Sequence, residues 1–220
     1  MTRVLLIGEN TFPFHRFDEK RSQFETILGD DFDFTTTIDQ TELLDLDECD
    51  VIIDYLTDST LTNDQSDALF SFVDDGGGYA GVHCAADLTT TADDRPSRSD
   101  PFPEFRDLIG GHFIGHPEQS EFPVRIIDAD HPVTTDVADF SVYDEPYDLD
   151  WDDDVHVLAQ MDHDDLGDVP VAWVTSRGDG RVFYCSLGHT DEAFEHDAVR
   201  QLLYNGVKWA ARTRANGESG

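Results

Sequence analysis

The stretch Gly76-Gly77-Gly78-Tyr79-Ala80-Gly81-Val82-His83-Cys84-Ala85-Ala86 constrains the fold more than any other part of the chain. It reads as a short buried strand of small residues that ends in a sharp turn into a helix. Such a turn crowds the backbone, so the residues two before and two after its tip must be small, the rule behind the G-x-S-x-G elbow of hydrolases. With His83 at the tip those neighbours are Gly81 and Ala85, and both fit. With Cys84 at the tip they are Val82 and Ala86, and Val82 fits badly. The sequence therefore places a histidine where related architectures carry a nucleophile.

The residues ahead of the elbow supply its frame. An apolar run at 3–8 closed by Gly8 has the pattern of a strand buried on both faces. A helical face follows at 16–28 (Phe17, Phe24, Ile27, Leu28), then β-branched strand patterns at 33–38 and 50–55. Thr62-Asn63-Asp64-Gln65 is a capping box that opens a helix carrying Ala68, Leu69, Phe72 and Val73 on one face and stopping at Gly76. Strands alternating with helices predict right-handed βαβ units around a parallel sheet. In such sheets the crevice lies beyond the carboxyl ends of the strands, where His83 and the loop after Ile7 would both sit.

Beyond the elbow, residues 88–103 are rich in Thr, Asp, Ser, Arg and Pro and read as a flexible loop over that crevice. A short helix is expected at 105–109, a loop at 112–117, and strands at 122–127, 140–143 and 155–161. Residues 169–175 and 181–186 form a predicted hairpin across Arg177-Gly178-Asp179-Gly180. A last amphipathic helix turns Val199, Leu202, Leu203, Val207 and Ala210 inward. No linker or repeat interrupts this series, so one domain over 1–213 is expected, with a frayed tail at 214–220.

Composition narrows the function classes. Fifteen Phe, six Tyr and three Trp among 220 residues are enough for a large core, which argues against disorder. Against 48 acidic residues stand 14 Lys and Arg, a net charge of −34, and the only lysines are Lys20 and Lys208. Self-repulsion of that size destabilises a compact state, unless salt shortens the Debye length to about 3 Å, as at 1 M. The acids run along the whole chain rather than forming a tail, so the expected setting is the salt-rich cytoplasm of a halophile. No basic patch suggests nucleic-acid binding. Neither a charged-then-apolar leader nor an apolar run near 18 residues is visible, so neither export nor membrane spanning is expected. Cys49, Cys84 and Cys185 are odd in number and widely spaced, so they imply no disulfide framework.

Nine histidines in so lysine-poor a chain invite a search for a cluster. His83 sits at the elbow, His116 lies between Gly115 and Pro117, and His189 ends a strand. Glu145 follows another strand in Tyr143-Asp144-Glu145-Pro146-Tyr147, between aromatics that would desolvate it. Imidazoles with one carboxylate suit a zinc-like ion, and the same groups serve as general acid and base. His15, His112, His131, His156, His163 and His196 read as ordinary structural histidines. His112 and His116 share the spacing of a helical ligand pair, but the glycines before them and the proline after them oppose a helix.

Six collinear segments carry a family resemblance. They are the elbow at 76–85, Leu-Ile-Gly-Gly-His-Phe-Ile-Gly-His-Pro at 108–117, His-Pro-Val-Thr at 131–134, Asp-Glu-Pro-Tyr at 144–147, Pro-Val-Ala-Trp at 170–173 and Ser-Leu-Gly-His-Thr at 186–190. In this order they resemble the ThuA-like family, named for a trehalose-utilisation protein. The resemblance implies a class I glutamine amidotransferase-like fold, a flavodoxin-like three-layer α/β/α sandwich with a mainly parallel sheet. Amidotransferases of that fold carry cysteine at the elbow and a His–Glu pair after a late strand. Here His83 takes the place of the cysteine and His189 that of the histidine, while Glu192, three residues on, is a loose counterpart of the glutamate. Without a thiol at the tip, glutamine hydrolysis loses its nucleophile.

The family also implies carbohydrate metabolism, with a disaccharide or keto-sugar as the small-molecule partner. The expected protein is a sugar-modifying enzyme in which His83, Glu145 and His189 do the chemistry. His83, His116, Glu145 and His189 would hold a divalent metal, zinc foremost. Two alternatives stand beside it: a non-catalytic sugar-binding or accessory protein, and a thiol enzyme in which Cys84 attacks, His189 is the base and Glu192 orients it. Symmetric self-association is expected from the general behaviour of soluble proteins.

Overall fold

The apolar run at the start of the chain becomes strand β1 (Thr2–Gly8), whose residues from Val4 onward are buried. It takes an interior place in the sheet, next to the edge strand, because neither of its faces could bear water. The structure, a computed structural model, describes residues 1–57, 61–87 and 102–211. The expected frayed tail at 214–220 and most of the expected loop at 88–103 lie outside these residues.

Helix α1 (Phe17–Leu28) follows β1 and leads to β2 (Phe32–Thr37) and β3 (Val51–Tyr55). Helix α2 (Asn63–Asp74) opens on the capping box read from sequence: Thr62 Oγ1 accepts from Gln65 N at 3.3 Å and Gln65 Oε1 accepts from Thr62 N at 2.8 Å. The elbow strand β4 (Gly78–Val82) comes next, buried at every position. After it come α3 (Pro103–Ile109), β5 (Gly111–Gly115), β6 (Ser120–Ile126), β7 (Phe140–Asp144) and β8 (Asp148–Trp151). The chain ends in β9 (His156–His163), β10 (Gly167–Arg177), β11 (Gly180–Cys185), α4 (Asp191–Glu195) and α5 (Asp197–Ala210).

Nine strands form one sheet in the order β2-β1-β3-β4-β11-β10-β9-β6-β7. The first five run parallel. The remaining pairings are antiparallel, so the parallel arrangement expected for most of the sheet occupies only one half of it. The change begins at the β10–β11 hairpin, whose turn stands at Arg177–Gly180 as its sequence requires. Helices cover β11 from both sides. Gly180 abuts Val73 of α2, while the next residue, Arg181, lays its guanidinium over Trp209 of α5. No helix among the described residues is long and apolar enough to cross a membrane.

The antiparallel half curls over the end of the parallel half. Four strand-to-strand steps separate β11 from β7, about 19 Å in a flat sheet. Yet Asp144, the last residue of β7, holds Gly188 N, just beyond β11, at 2.7 Å. Register shifts in β10 around Pro170, Ala172 and Trp173 supply part of the bend. The expected loop at 112–117 is corrected by the structure: residues 111–115 are a strand, paired antiparallel with β8. The signal that could announce that pairing is weak, because the alternation in β8, Asp-Leu-Asp-Trp, lasts only four residues and β5 is bounded by glycines. Tertiary context decides such short strands.

Candidate functional site

Strand β4 delivers its last residue into a tight turn, and the tip is His83. Its φ of +47° is one of two positive values at non-glycine residues among those described. Such a conformation costs about 1–3 kcal/mol and persists only where the surroundings enforce it. The crowding that singled out Gly81 is present: a Cβ there would stand 3.1 Å from both Tyr79 and Tyr184 and 3.4 Å from the Ala85 Cβ.

The site lies at the carboxyl ends of the parallel strands, with the curled half closing one side. His15 comes from the loop after β1, Thr57 from the end of β3, His83 from the end of β4 and His189 from the loop after β11. Glu145 immediately follows β7. Single donor atoms of His15, His83, Glu145 and His189 all lie within 4.8 Å of one another. His189 Nδ1 stands 3.1 Å from His15 Nε2 and 3.2 Å from His83 Nε2. Glu145 Oε2 stands 3.5 Å from both His83 Nε2 and His189 Nδ1.

Each histidine is held from outside the cluster. His83 Nδ1 donates to the Ser186 carbonyl at 2.7 Å, which leaves Nε2 as a lone pair facing inward. The Tyr147 ring lies against the His83 ring with centroids 4.2 Å apart. His15 Nδ1 pairs with Thr57 Oγ1 at 3.0 Å, again leaving Nε2 toward the centre. His189 is held through its main chain. The fully buried Asp144 carboxylate accepts from Gly188 N at 2.7 Å, His189 N at 3.1 Å and Thr190 N at 2.9 Å. Tyr55 OH donates to the Gly188 carbonyl at 2.9 Å, and Gly188 itself needs φ of +124°.

These surroundings favour neutral imidazoles at His15 and His189. Burial first, then His83 and His189, push His15 down to about 2. Burial and the neighbouring His83 also lower His189. Burial raises the Glu145 carboxyl, while a bond from His83 and the charges that His83, His189 and His116 carry when protonated lower it, to a net position below the usual carboxylate range. Neutral ring nitrogens beside an ionised carboxylate form the donor set that borderline divalent metals take.

His116 stands to one side, its side chain 42% exposed. Its Nδ1 donates to the Pro117 carbonyl at 2.8 Å and lies 3.5 Å from Glu145 Oε1, the carboxylate oxygen turned away from the other histidines. Cys84 is fully buried beneath the elbow, hydrogen-bonded to Thr57, and burial above all raises its thiol well beyond the usual range. Glu192 is exposed at the start of α4. The carboxylate that braces His189 is Asp144 instead.

The remaining histidines lie apart from the cluster. His112 is on β5, 3.7 Å from Asp150. His131 caps a short helical turn and His196 caps α5. His156 pairs with Asp128 and His163 with Ser120. Sequence reading thus passed over three residues of the site, His15, Thr57 and Asp144. The available signal for His15 was topological, since it lies on the loop after the first strand of a parallel sheet.

Comparison with known proteins agrees with this architecture. The profile of the family described as "ThuA: Trehalose utilisation" matches residues 3–210. A ThuA-like protein of Bacteroides uniformis is 25% identical with a TM-score of 0.76, over 95% of this chain and 91% of its own. A ThuA-like protein of Parabacteroides merdae is 18% identical with a TM-score of 0.78, over 99% and 93%. A β-galactosidase of Bacillus circulans sp. alkalophilus shares the fold at 14% identity and a TM-score of 0.64, over 95% of this chain but 30% of its own. Comparison with curated protein sequences finds no match. The profile match over nearly the whole chain makes this protein a member of the ThuA, or trehalose utilisation, family.

Proposed function

We propose that this protein is a carbohydrate-modifying enzyme of disaccharide or keto-sugar metabolism whose site is a divalent metal centre, zinc foremost, marked by His15, His83, His189 and Glu145. One observation carries the reading: four donor atoms from four separate chain segments converge on one point. Zinc–ligand bonds of about 2.0–2.1 Å in a tetrahedron set donors about 3.3 Å apart. Four of the six separations among these donors run from 3.1 to 3.5 Å, and the whole set lies within 4.8 Å. Such an ion would act as a Lewis acid toward a sugar oxygen. The residues supply the remainder: imidazoles fixed in the right tautomer, a carboxylate that can take a proton at Oε2, and Tyr147 and Phe113 shielding the inner side.

The family description supports a sugar as the substrate class, as does the occurrence of this fold within a β-galactosidase. The thiol-enzyme alternative has less behind it, because Cys84 is buried and its thiolate disfavoured. The parallel order β2-β1-β3-β4-β11, with helices on both faces of β11, supports a flavodoxin-like reading of that half. A net charge of −34 supports a protein adapted to high salt and hence to a halophile's cytoplasm.

Elemental analysis of protein purified in high salt without chelator tests the metal reading. Near-stoichiometric zinc or another transition metal is expected in the wild type, with less than about a tenth of it in His83→Ala and His189→Ala, since loss of a ligand exceeds the 10–100-fold typical of outer-shell changes. A wild type that neither retains nor takes up metal would overturn it. Thermal unfolding in about 0.1 M and about 2 M KCl tests the salt reading: the melting temperature should rise with salt as the Debye length shortens, and a flat response would count against it.

A further inference from the structure

The four donors are not equivalent, and we infer a division of labour among them. His15, His83 and His189 hold the ion, while Glu145 is a displaceable carboxylate that borders a fourth position reserved for a sugar oxygen. The inference rests on the metal reading above and goes on to assign which side of the centre faces the substrate.

The three histidines are each tied to a group outside the cluster. His83 is fixed by the Ser186 carbonyl and His15 by the Thr57 hydroxyl, while the main chain of His189 is held by Asp144. These partners set the tautomer or position of each ligand before any ion arrives, as outer-shell groups do in zinc sites. Glu145 differs. Its polar neighbours among the described residues are all histidines: His83 and His189 on Oε2, His116 on Oε1. Among the described residues no main-chain amide or hydroxyl pins its carboxylate.

Position points the same way. His83 is fully buried and His15 nearly so, at the floor formed by the strand ends. Glu145, itself buried, bridges the buried His83 and the half-exposed His116, so its Oε1 edge is turned toward the more open side, although His189 is the most exposed of the four. A centre closed by four protein ligands is the structural type, whereas catalytic zinc keeps three protein ligands and one open position. With Glu145 turned toward His116, the three histidines leave such a position. Oε2 then stands where it can accept a hydrogen bond from the hydroxyl of a bound polyol or hydroxy-ketone. His116 acts through Glu145, as the residue that positions its carboxylate.

Cobalt(II) titration followed by visible absorption separates the roles in the full chain at high salt, with wild type, Glu145→Gln, Glu145→Ala and His15→Ala compared. Thermal unfolding of each variant identifies any that fails to fold, and His15→Gln replaces His15→Ala in that event. One equivalent of cobalt is expected in the wild type and in both Glu145 variants, with affinities within about tenfold, while the His15 variant weakens by more than about 100-fold. Folded Glu145 variants that lose cobalt as completely as the His15 variant would overturn the division of labour and make Glu145 a fourth ligand. A wild type that binds no cobalt would overturn the metal reading itself.

Discussion

In the parallel half of the sheet three histidines follow the carboxyl ends of β1, β4 and β11 and meet above the sheet. In the antiparallel half a single carboxylate reaches the same point only because the sheet curls back on itself. Each half also carries a buried aspartate at or next to a strand end, and the two differ in how they are satisfied. Asp144 in β7 accepts three main-chain amides from the loop after β11. Asp54 in β3 accepts one amide, from Leu56 at 2.8 Å, and one hydroxyl, from Tyr79 at 2.7 Å. Burial outweighs those two bonds and pushes Asp54 up to about 6. One aspartate joins the halves of the molecule, and the other is an internal cost carried by the rigid half.

The contact at Asp144 is the place to break the comparison. Asp144→Ala leaves the amides of Gly188, His189 and Thr190 without their acceptor, two of them in buried residues. At about 1–3 kcal/mol for each buried donor left unsatisfied, the expected loss is about 4 kcal/mol after partial hydration. Urea unfolding of the variant against the wild type measures it. A loss below about 1 kcal/mol would show that the curl is held by packing and that this carboxylate is not its clasp.

Asp54 gives the opposite sign. Its folded pKa of about 6 exceeds the ordinary carboxyl value of 3.8. Below pH 3.8 the group is protonated in both states and costs nothing. As pH rises toward about 6 the unfolded chain ionises first, so stability falls, by about 3 kcal/mol for a shift of about two pH units. Above that range the penalty is fully present. Asp54→Asn keeps an acceptor for Leu56 N and a donor for the Tyr79 oxygen, and should remove the penalty. Relative to the wild type it is expected to gain about 3 kcal/mol between pH 3.5 and pH 7. Equal pH dependence of the two proteins would mean that Asp54 ionises as easily inside as outside.

The same contrast explains what could be read from the chain before it was folded. The parallel half follows from local pattern: apolar runs, a capping box and an elbow whose small neighbours, Gly81 and Ala85, point to His83 as its tip. The strands of the other half were visible one by one, but not their order, the β5–β8 pair or the curl. Glu145 stood out through its flanking aromatics, while its arrival beside His83 depends on a bend that no short window encodes. His15 and Thr57 escaped notice for a different reason. Their hydrogen bond spans 42 residues, and the meeting of His15 with His189 spans 174. Nothing adjacent to either residue in sequence distinguishes it from its peers, and only the parallel topology brings the loops together.

That dependence makes Thr57 the finest probe of the parallel half. Thr57→Val preserves shape and removes the oxygen that pairs with His15 Nδ1 at 3.0 Å. The imidazole is then free to exchange tautomers and to turn, and Nε2 loses its fixed direction toward the centre. Removing such outer-shell partners typically weakens metal affinity 10–100-fold, and that range is expected here from zinc competition with a chromophoric chelator. Thr57→Ser, which keeps the hydroxyl, should restore affinity to within about threefold, far short of the outer-shell loss. If valine and serine weaken zinc equally, the methyl and its packing matter rather than the hydrogen bond. The rigidity of the histidine side would then come from the strand ends alone.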